Sequence, residues 1–274
     1  EAAHRLGVQL MAGTFAVGLS PALRQLRTSR GILNYTQLVL AQGAKPVLPP
    51  QLPPSLCWRV NELAGWSGLQ QALAEGNKSV AIIGAGMIGC ELAEDFAHAG
   101  HKVTLLDRNA SPLAGLLPEE ASSRLVNSLT NLGVAYHGGV DVAGVSELES
   151  GKRIVELEAG PSIEVDHVVA AIGLATDNRL ALQANLRFES GLAVDSETLC
   201  TSDPNIYALG DCISIHGVPC RFIEPIKHQA QAIAHAIFGL DTVKYEHTPP
   251  VIRLKTRAMP VILHGRRYNI TTCL

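Results

Sequence analysis

Ser79-Val80-Ala81-Ile82-Ile83-Gly84-Ala85-Gly86-Met87-Ile88-Gly89 is the stretch on which the fold turns. Ser79–Ile83 reads as a short buried strand, residues 87–99 as a helix ending near Gly100, and Lys102–Asp107 as the next strand. A GxGxxG run alone is a weak sign. Placed between a strand and a helix, with an acid at the end of the following strand, it is a dinucleotide-binding fingerprint. Gly84 permits the tight turn, Gly86 lets the backbone approach a pyrophosphate, and Gly89 lets helix and strand pack closely. The helix start, at Met87 and Ile88, offers free N–H groups to the negative charge. Asp107 is placed to accept hydrogen bonds from an adenosine ribose. Its carboxylate repels a 2′-phosphate and so favours NADH over NADPH, while Arg108 beside it works against that preference.

The rest of the chain suits such a domain. At about 150 residues per domain, 274 residues suggest one to two domains. Hydrophobic residues are 47% and charged residues 17%, and mean hydropathy is +0.17. That is enough for a large core and excludes disorder, collagen and a disulfide-stapled miniprotein. A net charge of -3 provides no basic field for nucleic acid. Cysteines stand at 57, 90, 200, 212, 220 and 273 with no CxxC, which argues against a zinc site and suits a reducing cytoplasm. No apolar run approaches the roughly 18 residues of a membrane helix. The opening Glu1-Ala2-Ala3-His4-Arg5 has neither an initiator Met nor a signal-peptide pattern.

Outward from the glycine run, residues 1–45 read as short extended pieces, and the proline-rich Pro46–Pro54 as a linker, since proline removes donors and fixes φ. Leu63, Trp66, Leu69 and Leu73 predict a helix over 61–75. Pro118-Glu119-Glu120 opens a helix that stops at Gly133. Several β-rich pieces follow between Val134 and Val169, and a strand runs into Ala170-Ala171-Ile172-Gly173. This alternation implies a doubly wound, Rossmann-like α/β domain. Beyond it, Gly191–Val194 and Ile206–Leu209 read as strands and residues 225–238 as a helix.

A second signal is Thr201-Ser202-Asp203-Pro204-Asn205-Ile206-Tyr207-Ala208-Leu209-Gly210-Asp211. By physics alone it is a turn, a buried strand, and a Gly-Asp at the strand's carboxyl end. A carboxylate there holding a sugar or ribityl hydroxyl and a plain surface-turn acid are equal readings.

Residues 201–211 resemble the second flavin motif of the FAD-dependent pyridine nucleotide-disulfide oxidoreductases. Gly84, Gly86 and Gly89 match that family's NADH fingerprint, and Glu91 matches an acid near its nicotinamide–flavin junction. Leu38–Ala44 resembles its short junction motif, with Gln42 where threonine is usual, and Ala170–Gly173 resembles the motif closing its NADH domain. Ser111–Pro118, Ser122–Leu125, Gly210-Asp211-Cys212, Pro225-Ile226 and Leu254-Lys255-Thr256 are similar to the rubredoxin and flavorubredoxin NADH reductases within it. The resemblance implies an enzyme passing electrons from NADH through FAD to a rubredoxin-like iron carrier. Gly173 joins the NADH residues; Gly43, Gly210, Asp211 and Lys255 are the FAD residues; Glu91 is the catalytic candidate. Ferredoxin, a nitrite reductase, a quinone or dioxygen as acceptor, and a non-catalytic NADH-binding module, are the alternatives.

The family has two GxGxxG units, of which only the second stands here, and its last domain extends further. The implied layout is an NADH domain at 78–187 inserted in an incomplete FAD domain. The latter comprises 1–77, with the linker, and the returning part 188–247, and residues 248–274 start a C-terminal domain. Cys212 and Cys220, the nearest cysteine pair, read as packing residues before a redox pair, as does Cys90. His228 and His235 lack further metal ligands, and His228 and Glu224 are weaker flavin-edge candidates. Residues 251–274 carry Arg253, Lys255, Arg257, Arg266 and Arg267 and no acid; a docking site for an acidic carrier and a plain solvated face or a consequence of truncation are equal readings. The chain by itself is expected to bind NADH far more tightly than FAD; purified protein carrying one yellow flavin per chain would overturn that.

Overall fold

The computed structural model describes residues 5–47, 49–240, 243–248, 251–264 and 269–272. The chain divides into two compact units, one of residues 1–44 and 175–248, the other of residues 45–174 and 249–274.

The second unit is built on a five-stranded parallel sheet. Its strands are β1 (Cys57–Trp58), β2 (Ser79–Ile83), β3 (Lys102–Asp107), β4 (Ala135–Gly138) and β8 (His167–Ala170). Their spatial order is β1-β8-β2-β3-β4. Between them run α1 (Leu63–Leu73), α2 (Met87–His98) and α3 (Glu119–Asn131). The segment from β4 to β8 forms an antiparallel sheet of β5 (Val142–Glu147), β6 (Arg153–Leu157) and β7 (Ile163–Val165).

Period-2 alternation sorts the buried residues of the parallel sheet into two layers. Ala81, Ile83, Leu106 and Val168 share a core with Val145, Val155 and Val165 of the antiparallel sheet. Val80, Ile82 and Leu105 point the other way and are fully buried; α2 packs on β2 and β3. The unit is Rossmann-like, but an antiparallel sheet covers one face where a doubly wound fold would place helices. Residues 142–165 alternate apolar and polar positions and carry turns at Gly151 and Gly160, which suits hairpins rather than a helix.

The first unit holds an antiparallel meander of Ala16–Ser20, Gln25–Thr28 and Gly31–Asn34. It also holds a parallel pair in which Ile206–Ala208 runs beside Leu38–Leu40. Leu192–Ala193 pairs with Ile213–Ile215, and the helix Ile226–Ile237 contributes Ala232 and Ile233 to the core.

Three sequence expectations shift. The unit boundaries fall after residues 44, 174 and 248 rather than at 77, 187 and 247. Cys57–Trp58 hydrogen-bonds as a sheet strand, while Ala181, Ala184 and Leu186 pack in the first unit's core, so each stretch belongs with its partners. Residues 251–264 group with the second unit. The proline-rich stretch is not a free linker: Leu52 is buried against Ala81 and Val168, and the carbonyl of Gln51 accepts the Val145 N–H at 3.1 Å. Proline bars ladder bonds but not the burial of the residues between. Pro118 caps α3 rather than filling its first turn.

The start of β2 is latched to the turn before β8. Asp166 Oδ2 accepts the Ser79 N–H and the Ser79 hydroxyl, each at 2.7 Å. The backbone bond first, then the hydroxyl, holds the Asp166 carboxyl below its ordinary range. A carboxyl lowered by folding stabilises the fold above its unfolded value and loses that contribution as pH falls through the folded one. Ser79→Ala is expected to cost about 1–2 kcal/mol at neutral pH. Thermal melting against pH should show the difference from the unaltered protein narrowing below about pH 4.

Candidate functional site

A pocket of about 610 Å³ opens at the carboxyl ends of β2, β3 and β8. β2 neighbours β3 on one side and β8 on the other, so the pocket sits at the point where strand order reverses, the favoured ligand position in such sheets. Of the residues expected to hold NADH, Gly84, Gly86, Met87, Ile88, Asp107 and Gly173 line it, while Gly89 does not.

The three fingerprint glycines do different work. Gly84 has φ +105°, and a Cβ there would lie 2.5 Å from the Ala171 carbonyl oxygen. A Cβ on Gly89 would collide with the Gly84 carbonyl. Both are demanded by packing. Gly86 has an ordinary φ of -74° and open space where its Cβ would be. It caps α2, beside the N–H groups that the helix leaves free. The structure therefore offers an uncrowded, electropositive surface above Gly86, which fits a dinucleotide pyrophosphate.

Asp107 already has partners. Its Oδ2 accepts the Ala85 N–H at 2.5 Å, and its Oδ1 accepts the Asn109 N–H at 2.7 Å and the Asn109 side-chain amide at 2.9 Å. A carboxylate offers about four acceptor positions, so it can still receive a ribose hydroxyl. Arg108 is exposed and lines the same pocket. Nearby, burial first and then Asp107 push the Cys90 thiol and the Tyr136 hydroxyl each up to about 12. Neither ionises at neutral pH, and Cys90 is a packing residue. Sequence reasoning missed the wall formed by Pro49, Gln51, Val60 and Asn61; no motif announces these residues, of which the first two belong to the proline-rich segment and the last two follow β1.

Glu91 lies on α2, where its Oε1 accepts the backbone N–H of Lys255 at 2.8 Å. One turn further on, Glu94 is only 1% exposed and accepts the backbone N–H groups of Arg257 at 2.5 Å and Ala258 at 2.8 Å. The two acids thus hold the 255–258 turn. Glu94 was missed by sequence reasoning, although its position three residues after Glu91 puts both on one helix face.

The expected flavin residues of the first unit gather at the ends of its parallel strand pair. Leu38–Leu40 leads to Gln42-Gly43, and Ile206–Ala208 leads to Gly210-Asp211. The Leu209 N–H bonds to the Leu40 carbonyl at 3.1 Å, and Gln42 Nε2 donates to the Asp177 carbonyl at 2.6 Å. Gly43 and Gly210 both have positive φ, +67° and +74°. Gln229, fully buried, accepts the Gly210 N–H at 2.9 Å through Oε1. Burial raises the Asp211 carboxyl, and Arg221 opposes that rise. Arg221 Nε is buried without a partner. A half-buried acid, a buried unpaired N–H and the open surface of Gly43 fit a polar ligand such as the ribityl and phosphate part of FAD.

Other candidates have plainer roles. Cys212 Sγ contacts the Leu40 and Leu209 carbonyls, and Cys220 Sγ contacts Gln229; both are free thiols. His228 and Glu224 are exposed. Among the described residues no cluster of His, Cys, Asp and Glu could hold a metal ion, and no helix is long and apolar enough to cross a membrane. Arg253, Lys255 and Arg257 are exposed, while Arg266 and Arg267 lie outside the described residues.

The family described as pyridine nucleotide-disulphide oxidoreductase matches residues 3–237. A protein named nitric oxide reductase FlRd-NAD(+) reductase from Klebsiella pneumoniae (strain 342) is 37% identical over 273 residues, covering 99% of this chain and 71% of its own. Its namesake from Escherichia coli O157:H7 is 36% identical over 265 residues, covering 97% and 69%. Among solved structures, the covalent putidaredoxin reductase–putidaredoxin complex superposes with a TM-score of 0.88 at 26% identity, over 96% of this chain and 65% of that one. A ferredoxin reductase from Rhodopseudomonas palustris gives 0.84 at 25% identity, over 96% and 66%.

The glycine geometry separates binding from folding. Gly86→Ala should leave the melting temperature within about 2 °C, because the new methyl group meets open space, yet weaken dinucleotide binding about tenfold or more. Gly89→Ala should lose the cooperative melting transition itself. Equal effects of the two substitutions would contradict the division of roles.

Proposed function

The chain belongs to the pyridine nucleotide-disulphide oxidoreductase family, and on that premise we propose that it serves an NADH-dependent flavoprotein reductase whose acceptor is a rubredoxin-type carrier such as flavorubredoxin. The observation that carries the reading is the open surface of Gly86 at the start of α2 with Asp107 beside it. The names of the relatives that match nearly the whole chain support the acceptor.

Each residue has a definite task. The α2 amides receive the pyrophosphate, and Asp107 takes the ribose hydroxyls and disfavours a 2′-phosphate. Gly173, exposed at φ +98° with open space over it, gives the rest of the nucleotide a flat backbone to lie on. In the first unit Asp211 accepts hydroxyls of the flavin side chain, Gly210 and Gly43 let it approach the backbone, and Gln229 holds the Gly210 turn. Held there, FAD would supply the chemistry that links two-electron hydride donation by NADH to one-electron reduction of an iron acceptor. Glu91 fixes the backbone of Lys255 and so orders the turn that begins there. Exposed Arg253, Lys255 and Arg257 would raise the encounter rate with an acidic carrier. The free thiols Cys57, Cys90, Cys200, Cys212 and Cys220 suit a reducing cytoplasm.

A ferredoxin acceptor is the second reading, favoured by the superposition on a ferredoxin reductase from Rhodopseudomonas palustris. Titration with NADH, NADPH and FAD, followed by reduction of purified flavorubredoxin or ferredoxin at their iron absorbance, tests the proposal. NADH should bind about tenfold more tightly than NADPH, and Asp107→Ala should erase that preference. Asp211→Asn should weaken FAD binding about tenfold. NADH oxidation that reduces ferredoxin but not flavorubredoxin would select the second reading.

A further inference from the structure

Leu113 is a bulky side chain, 5% exposed, with φ at +53°. That region suits glycine and is an outlier for leucine. It lies in Ser111–Leu117, the loop after β3, which the assigned chemistry does not use. Backbone held in such a conformation persists only where its surroundings over-determine it.

The surroundings here are specific. The carbonyl of Pro112 and the N–H of Leu113 belong to one peptide plane, and a trans peptide points them in opposite directions. The hydroxyl of Ser122, on α3 and 1% exposed, donates to the Pro112 carbonyl at 2.9 Å. On the other side of the plane the Leu113 N–H donates to the carbonyl of Ala85 at 2.9 Å. Ala85 lies between Gly84 and Gly86 in the fingerprint, and its own N–H is held by Asp107. The Leu113 carbonyl is occupied as well, accepting the N–H groups of Leu116 and Leu117.

Glycine-flanked backbone loses more freedom than any other when a ligand fixes it. We propose that Ser122 and the left-handed Leu113 are positioning residues for the dinucleotide. Through one peptide plane they fix the Ala85 carbonyl and so set the glycine loop before the cofactor arrives, which lowers the ordering cost of binding. The inference rests on the dinucleotide reading of the pocket and adds to it two residues outside the fingerprint that do not line the pocket.

NADH titration and amide hydrogen exchange on the unaltered chain and on Ser122→Ala test it. In the unaltered chain without NADH, the Ala85 and Leu113 amides should exchange slowly. Ser122→Ala should bind NADH about 5- to 10-fold more weakly. Its amides over residues 84–90 should exchange faster in the free protein and recover protection at saturating NADH. A variant that melts earlier but binds NADH unchanged would make the role purely structural and overturn the inference. So would unprotected Ala85 and Leu113 amides in the unaltered chain, a result that does not depend on any variant folding. If the unaltered chain fails to bind NADH, the dinucleotide reading falls first and the inference with it; if it binds and Ser122→Ala matches it in affinity and exchange, only the inference falls.

Discussion

Helix α2 leaves strand β2 through a turn with no room for a side chain at Gly84 or Gly89. The Gly84 carbonyl occupies the space a Gly89 Cβ would need, and the Ala171 carbonyl crowds Gly84 in the same way. Much of the second unit follows from this contact. It seats α2 on β2 and β3, aims the free N–H groups of the helix over the carboxyl ends of the strands, and leaves Gly86 as the uncovered member of the three. A constraint on packing thereby leaves the helix start uncovered, and the backbone amides exposed there need an acceptor.

Around this turn the protein has placed supports that are themselves satisfied. Asp107 bonds the Ala85 N–H and the Asn109 amides; the 112–113 peptide bonds the Ala85 carbonyl. Glu91 and Glu94 hold the 255–258 turn from the same helix. The first unit repeats the pattern with other chemistry. There a buried glutamine, Gln229, holds the left-handed Gly210 turn that carries Asp211. In both units the residue proposed to face a ligand is a short polar group or bare backbone.

The sequence was most legible where one local rule applied. Lys102–Asp107 is a strand over its whole expected length, and the α2 helix and β2 strand match their expected ranges to within a residue. Strong apolar periodicity and the glycine spacing leave few alternatives there. It was least legible where residues act on partners far along the chain. The proline-rich 46–54 stretch reads as a linker because proline has no ladder donor, yet Leu52 is core and Gln51 a pocket wall. Residues 175–187 follow the glycine domain in order but pack with the first unit's core. Glu94 and Gln229 look like ordinary helix positions until the chain they hold, more than 150 and about 20 residues away in sequence, is seen.

By itself the sequence determined the Rossmann-like α/β class and the tight glycine turn between β2 and α2, because each depends on steric limits or spacing within a few turns of chain. Only the tertiary structure decided which glycines are packed and which one is open, where the compact units divide, and which polar side chains aim the site. Those depend on contacts between segments distant in sequence, whose hydrogen-bond partners no local pattern specifies.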